Sequence, residues 1–532
     1  MKNDLAENPI FIRFLEILPG AAAWTTLLMP IIMAPFLPIF VASFILVFNL
    51  YWFFKAINLS RYLLNGFFGL KRNMSINWLE RCKKTDDLDN FARWLETKGE
   101  TNEDKHDLLE LKEIQKGGGA LGNWREIYNL AVIAISSESL DILKPSIEAI
   151  KNSNFPNENI MIVLACEERY PSAVKIAKII KKKYGSDFKY LDYFVHPKDL
   201  PNEVRGKGPN ISFAAKKFKE YFDKQKSITY GDVLVTTLDA DHIAHKEYFG
   251  RVTYCYLLDG KNKHKTYQPV PLLFNNIWDT PAPNRIAAVG SSFWQIVEAM
   301  RPYRLRTFAA HTQSLETLVD TDFWALHSIV EDGHQFWRTY FRYGGDHEMV
   351  PLTIPVYQDA VLAETYWKTF KNQYLQRRRW AWGASDFPFI VTHFMKEKKI
   401  SFFEKIVQTF RHFSGGYSWA TASFLIAGAW VPLIFNNSFQ DTVLAHNVTV
   451  YSSFVLRLAW AGIFLNVWIY LKLLPPRPKK YGLWRHFGMV WQWLLSPVVA
   501  IVLSSLPCLD SQTRLMLGKR LEFWITPKVR KA

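Results

Sequence analysis

Val233-Leu234-Val235-Thr236-Thr237-Leu238-Asp239-Ala240-Asp241 is the stretch on which the middle of this chain turns. Its first six residues are apolar or β-branched, the composition of a buried strand, and the run stops abruptly at two carboxylates one residue apart. Upstream, apolar runs at 129–135, 160–165 and 191–195 have the same character, and helical patterns at 141–152, 172–184 and 211–222 lie between them. Such alternation predicts an α/β domain, a parallel sheet with helices on its faces. Ligands bind such sheets beyond the carboxyl ends of the strands, where Glu167, Glu168, Asp239 and Asp241 fall. An isolated Asp-x-Asp is more often a polar strand end. Here the preceding strand and the lack of another comparable ligand cluster favour a divalent cation, Mg2+ or Mn2+, with charge to offset a diphosphate.

Three further motifs follow this reading. Gly206-Lys207-Gly208-Pro209-Asn210 precedes a helical pattern, with Pro209 suited to its first turn; its amides can approach an anion and Lys207 adds a point charge, without Walker spacing. Glu331-Asp332 follows the apolar stretch 323–330 and offers a candidate base, although adjacent acids commonly just start a helix. In Gln376-Arg377-Arg378-Arg379-Trp380, helical spacing puts Gln376, Arg379 and Trp380 on one face, an arginine to clamp a diphosphate and an indole to lie against a sugar ring. Arg377 and Arg378 read as an ordinary basic helix end.

With 532 residues, 49% of them hydrophobic and 15% aromatic, the chain is not mainly disordered and has room for several domains. The net charge of +16 is spread beside apolar segments instead of forming one aromatic-interleaved patch, so a membrane surface is expected and nucleic acid is not. Cys82, Cys166, Cys255 and Cys508 lie far apart, with no zinc spacing or disulfide framework. Residues 20–57 stay almost uncharged up to Lys55, enough for two crossings of about 20 residues each, turning at Pro35 and Pro38. Lys55, Arg61, Lys71 and Arg72 place the exit in the cytoplasm. Later apolar runs cover 416–436, 452–474 and 488–507, after an amphipathic stretch that includes Phe402, Phe403, Ile406, Val407 and Phe410. A tail bearing Arg514, Lys519, Arg520, Lys528, Arg530 and Lys531 resists export, so with Pro497 in mid-run a re-entrant path is expected at 488–507.

Taken together, these motifs resemble the family 2 glycosyltransferases with multiple spans, the group of cellulose, chitin and hyaluronan synthases, from about Tyr128 onward. The resemblance implies a GT-A (Rossmann-like) domain flanked by transmembrane helices, and an inverting hexosyltransferase. It implies metal and donor binding by Asp239 and Asp241, donor contacts from Glu167, Glu168, Gly206 and Lys207, and Asp332 as the general base. The acceptor would meet Glu331, Gln376, Arg379 and Trp380. The implied partners are a nucleotide-sugar donor, a UDP-sugar for preference, a glycan or lipid-linked acceptor, the bilayer of the plasma (inner) membrane, and cell-envelope subunits. The segments expected are a hairpin at 1–57, a charged helical part at 58–125 closed by Gly117-Gly118-Gly119, the GT-A domain at 126–398 with its catalytic side in the cytoplasm, an interfacial helix at 399–415, a membrane region at 416–507 and a basic tail at 508–532. The family's early Pro-x-Tyr-Asn-Glu stretch appears here as Ala134-Ile135-Ser136-Ser137-Glu138, and its Thr-Glu-Asp as Val330-Glu331-Asp332. A transporter would need ionisable residues within its spans, and Arg457 is the clear one in the C-terminal runs. A non-processive transferase to a lipid or other glycan fits the same motifs with a different product length, and the divergent early motifs leave an inactive sugar-binding scaffold as a further alternative.

Overall fold

The computed structural model describes residues 5–99, 101–116, 121–224, 228–428, 430–526 and 529–530, and the expected Gly117-Gly118-Gly119 linker lies outside them. The chain forms two compact units, one of residues 68–272 and 298–358, the other of residues 1–67, 273–297 and 359–532. These units cut across the expected boundaries at 57/58, 125/126 and 398/399.

The first unit is the expected α/β domain. Its strands are β1 (Tyr128–Ile135), β2 (Ile160–Glu167), β3 (Tyr190–His196), β4 (Val233–Asp239), β5 (Ile243–Ala244), β6 (Lys265–Leu272), β7 (His311–Ser314) and β8 (Glu348–Tyr357), in the order β3-β2-β1-β4-β7-β6-β8-β5. β3, β2, β1 and β4 are mutually parallel as expected, whereas β7 pairs antiparallel with β4 and β6, and the sheet as a whole is mixed. Alternation explains why the first strands are apolar throughout. Ile133, Ile135, Ile162, Leu164, Leu234 and Leu238 enter one core, and Leu130, Val132, Met161, Val163, Val233 and Val235 enter the other. Helices Leu140–Lys151 and Pro171–Tyr184 close the first face, and Lys207–Phe222 closes the second through Ile211, Ala214 and Phe218.

The charged segment before the sheet belongs to the first core. Trp78, Cys82, Phe91, Leu95 and Leu111 bury into it. Their helices are held by an ionic cluster: Arg81 meets Asp104 at 2.7 Å, Arg72 and Arg251 both bind Glu103, and the Tyr254 hydroxyl donates to Asp107 at 2.6 Å. Buried charges persist only when paired in this way.

Helices Pro9–Met33 and Trp484–Met516 of the second unit, and Pro38–Ser75, which belongs to it up to residue 67, are long and apolar enough to cross a membrane. The expected turn at Pro35 and Pro38 is present, but the helix beginning at Pro38 continues past Lys55, whose ammonium lies 4.0 Å from the Trp52 ring. One cation on a helix is not a helix stop. The expected interfacial helix at 399–415 is likewise not separate: Ser401 caps a single helix, Phe402–Ala427, whose first turns expose Phe402, Phe403, Ile406 and Phe410. No hairpin occurs at 488–507. Helical segments run on from Trp484 to Met516, because Pro497 and Pro507 each stand in the first turn of a new segment, where their missing N–H costs nothing, and a π-helical turn at Ile501–Ser505 joins them.

The ends of this run are tied down within the unit. Before it, Lys480 pairs with Asp279, Tyr481 donates to Asp279 and Arg485 donates to the Trp278 carbonyl. After it, Arg13 donates to the carbonyls of Leu515 and Met516, and Arg530 in the tail pairs with the buried Asp359 at 3.1 Å. Asn276 and Ala360 exchange two hydrogen bonds, so the anchors for both ends are neighbours. All four cysteines are buried and free.

Candidate active site

The α/β unit gathers its site where the strand order reverses between β1 and β4. Asp239 ends β4 opposite Ala134 of β1, and the turn that follows carries Asp241 and His242 inward, both only 2% exposed. Ligand atoms of Asp239, Asp241 and His242 lie within 4.8 Å of one another. Two hard carboxylates at this spacing suit Mg2+ or Mn2+, the cation expected from the sequence, with His242 packed against them. The sequence reading passed over His242. Its signal was present in the quartet Asp-Ala-Asp-His, since a tight turn brings the fourth residue back over the first: the Asp239 N–H donates to His242 Nδ1 at 3.1 Å, and His242 Nε2 lies 3.5 Å from Asp239 Oδ2.

Lys207 approaches from the other side, its Nζ 2.6 Å from Asp239 Oδ1 and 2.9 Å from the Ala309 carbonyl. The motif expected to precede a helix is itself the start of one. Gly206 is the N-cap, Lys207 the first helical residue, and Asn210 donates to the Ala165 carbonyl at 2.9 Å, anchoring the turn to β2. Proline at a first-turn position and glycines that permit close packing make this early start possible. Glu331 and Asp332 open the helix Glu331–Arg342, and Glu331 packs against Gly208 so closely that a Cβ at Gly208 would come within 3.0 Å of its Cβ. Asp332 is half-buried. Its backbone carbonyl accepts from Thr307 Oγ1 at 2.5 Å, and its Oδ1 accepts from the Gly333 N–H at 2.8 Å. Asp239, Asp241, Lys207, Gly206 and Glu331 are therefore contributed by neighbouring segments of one unit.

Glu167 and Glu168 part company at the end of β2. Glu167 is buried, 3.0 Å from Arg169 and 3.4 Å from His196, which also meets Glu203 at 2.8 Å. Burial opposes a charge on His196, but Glu167 and Glu203 outweigh it and raise its pKa above the usual 6.5. Glu168 is exposed and accepts from the Lys198 N–H at 2.9 Å. In the early stretch, Glu138 folds back to accept from Ser136 N–H and hydroxyl, closing the β1 loop on itself.

The last motif belongs to the other unit, in helix Tyr366–Trp380. Gln376 is buried and accepts from Gln373 at 3.3 Å, and the Arg379 guanidinium lies 4.9 Å from the Phe523 ring. Arg377 and Arg378 do stand in the last turn of a helix, but each has a partner: Arg378 pairs with Asp510 at 3.1 Å, and Arg377 is buried, donating to the Ala287 carbonyl, with burial lowering its pKa to about 10. Trp380 lines a cavity of about 200 Å³ together with Phe387, His412, Phe413, Trp419 and Gln512. Burial of Arg377 depends on helices far away in sequence, which local spacing does not disclose.

No known protein family and no curated protein matches this sequence. Among solved structures, the chain is similar to the mannosyltransferase PcManGT from Pyrobaculum calidifontis in complex with GDP-Man and Mn2+, at 13% identity and a TM-score of 0.38 over 72% of this chain and 99% of that one. It is also similar to S. aureus TarS 1-349, at 12% identity and a TM-score of 0.32 over 62% and 89% of the two chains. The same TarS fragment in complex with UDP-GlcNAc gives 11% identity and a TM-score of 0.29 over 62% and 90%. Likenesses this loose say nothing about what this chain binds or makes.

Proposed function

We propose that this chain is a membrane-integrated inverting glycosyltransferase of family 2 type, passing a sugar from a nucleotide sugar to a growing β-linked polysaccharide. The observation that carries the reading is the cluster of Asp239, Asp241 and His242 at the carboxyl end of β4, with Lys207 against it and the helix of Asp332 packed alongside through Glu331 and Gly208. A divalent cation bound there would neutralise a diphosphate leaving group. The chain's own residues do the rest. Asp239 and Asp241 hold the ligating oxygens, and Lys207 offers a cation to phosphate oxygens. Asp332 takes the proton of the acceptor hydroxyl as its oxygen bonds to the anomeric carbon; the bond from that carbon to the diphosphate breaks, and one displacement inverts the centre. Aromatic planes beside Trp380 are suited to the apolar face of an acceptor sugar. In this reading the donor is a UDP-sugar, the three long apolar helices seat the chain in the plasma membrane with its catalytic side in the cytoplasm, and synthesis is processive with export.

The test is a panel of labelled UDP- and GDP-sugars offered to purified membranes with Mg2+ or Mn2+, reading released nucleotide and product size. Asp241→Asn should lose metal-dependent donor binding, since an amide is a neutral and poorer ligand. Unchanged affinity and metal dependence in that variant would remove the cluster, and the proposal with it.

A further inference from the structure

Both carboxylate oxygens of Asp239 are already engaged by this chain. Oδ1 faces the Lys207 ammonium at 2.6 Å, and Oδ2 faces His242 Nε2 at 3.5 Å. Because His242 Nδ1 accepts the Asp239 N–H, its other ring nitrogen carries the proton and points a donor, not a lone pair, at Oδ2. His242 is thus a positioning residue for Asp239. Lys207 is held by more than the ion pair: its Nζ also donates to the Ala309 carbonyl, and its side chain is 11% exposed. A divalent cation that takes Asp239 as a ligand must therefore displace a bound positive charge or tolerate it at contact range, where repulsion between cations is strong. Lysine can yield, being a compact charge on a flexible stem. An arriving diphosphate gives it somewhere to go.

We propose that Lys207 is an internal counter-ion for the metal site: it neutralises Asp239 while no donor is bound, and transfers its ammonium to the diphosphate when cation and nucleotide enter together. The inference rests on the donor-site reading above, and makes one distinct demand of it. Metal and nucleotide must bind with strong mutual dependence, because the metal alone has to remove Lys207 without compensation. No bond is made or broken; one ion pair is exchanged for another.

Mn2+ binding to the detergent-solubilised full-length chain can be counted from the electron paramagnetic resonance of free Mn2+, alone and with UDP or GDP. Wild type should bind Mn2+ weakly alone and at least about tenfold more tightly with the nucleotide. Lys207→Ala should bind Mn2+ alone about tenfold more tightly than wild type, the scale of one charge-assisted contact at a partly exposed site, and should bind the Mn2+–nucleotide pair more weakly. Lys207→Arg, which keeps the charge, should leave metal-alone binding as weak as in wild type. A lysine with only a structural role would not tighten metal binding on removal. The proposal is overturned if Lys207→Ala, with wild-type circular dichroism, leaves metal-alone affinity unchanged or lower. Should that variant not fold, wild type itself decides: equal Mn2+ affinity with and without nucleotide overturns the proposal. Tighter metal binding by Lys207→Ala with no binding of UDP or GDP to any form would leave the pairing with Asp239 standing but overturn the proposed transfer to a diphosphate, and would sink the glycosyltransferase reading with it.

Discussion

Gly208→Ala is the sharpest test of how the donor loop and the base are joined. Gly208 lies outside the left-handed backbone region, so alanine meets no conformational barrier there, and the obstacle is space alone. A Cβ would stand 2.5 Å from the Ala325 carbonyl oxygen, 3.0 Å from the Glu331 Cβ and 3.3 Å from its Cγ. The first of these is backbone and cannot rotate aside. Overpacking of this kind costs about 1–3 kcal/mol. Against it stands the preference of a helix for alanine over glycine, up to about 1 kcal/mol in a helix interior and less in a first turn. The net is a loss of about 1–2 kcal/mol, or about 2–4 °C in the melting midpoint for a domain of this size. Relief must come from the segment of Ala325, from the helix start that carries Lys207 or from the helix start that carries Asp332, and because two of these three carry site residues, affinity for Mn2+ with UDP should fall with stability. Differential scanning fluorimetry and calorimetry on one preparation read the two quantities. An unchanged midpoint with unchanged nucleotide affinity would refute the close approach itself.

Asp332→Asn should keep donor binding while transfer falls by about two to four orders of magnitude, the usual contribution of a positioned base; near-normal turnover with the same β-linked product would pass the role to Glu331. His196 should impose a pH dependence on stability. Its pKa is raised in the folded chain because Glu167 and Glu203 outweigh the opposing effect of burial, so its contribution is fully present below about pH 6.5 and is lost as pH rises through the raised value. The melting midpoint of wild type should drop across that window relative to His196→Gln, and parallel curves for the two proteins would remove the ion pair from the account.

What could be read from sequence was whatever depends on near neighbours. β1, β2 and β4 were legible because each is apolar on both faces, and Asp239 and Asp241 because polarity changes abruptly where β4 ends. β7, by contrast, is the polar quartet His311–Ser314, and it is a strand only because β4 and β6 supply partners on either side. β6 carries two prolines, which argue locally against a strand and are tolerated beside its register shift. The ion pair of Lys207 with Asp239 and the burial of Arg377 against Ala287 join residues far apart in the chain. No periodicity encodes them. The start of the helix at Lys207 was missed because two glycines and a proline read locally as a loop, while the packing of Gly208 under Glu331 is what makes glycine the right residue there.

Arg13 grips the carbonyls of Leu515 and Met516 across a separation of more than 500 residues. In the proposed membrane-integrated chain, two points so clamped share one side of the bilayer, and everything threaded between them has to leave and return an even number of times. Among the described residues three helices are long and apolar enough, and one passage each gives an odd number that would assign Arg13 and Met516 to different compartments. The clamp forbids that sum. Parity thus does what hydropathy cannot: it disqualifies at least one helix of sufficient length and greasiness from being a simple passage, or demands a further passage elsewhere in the chain.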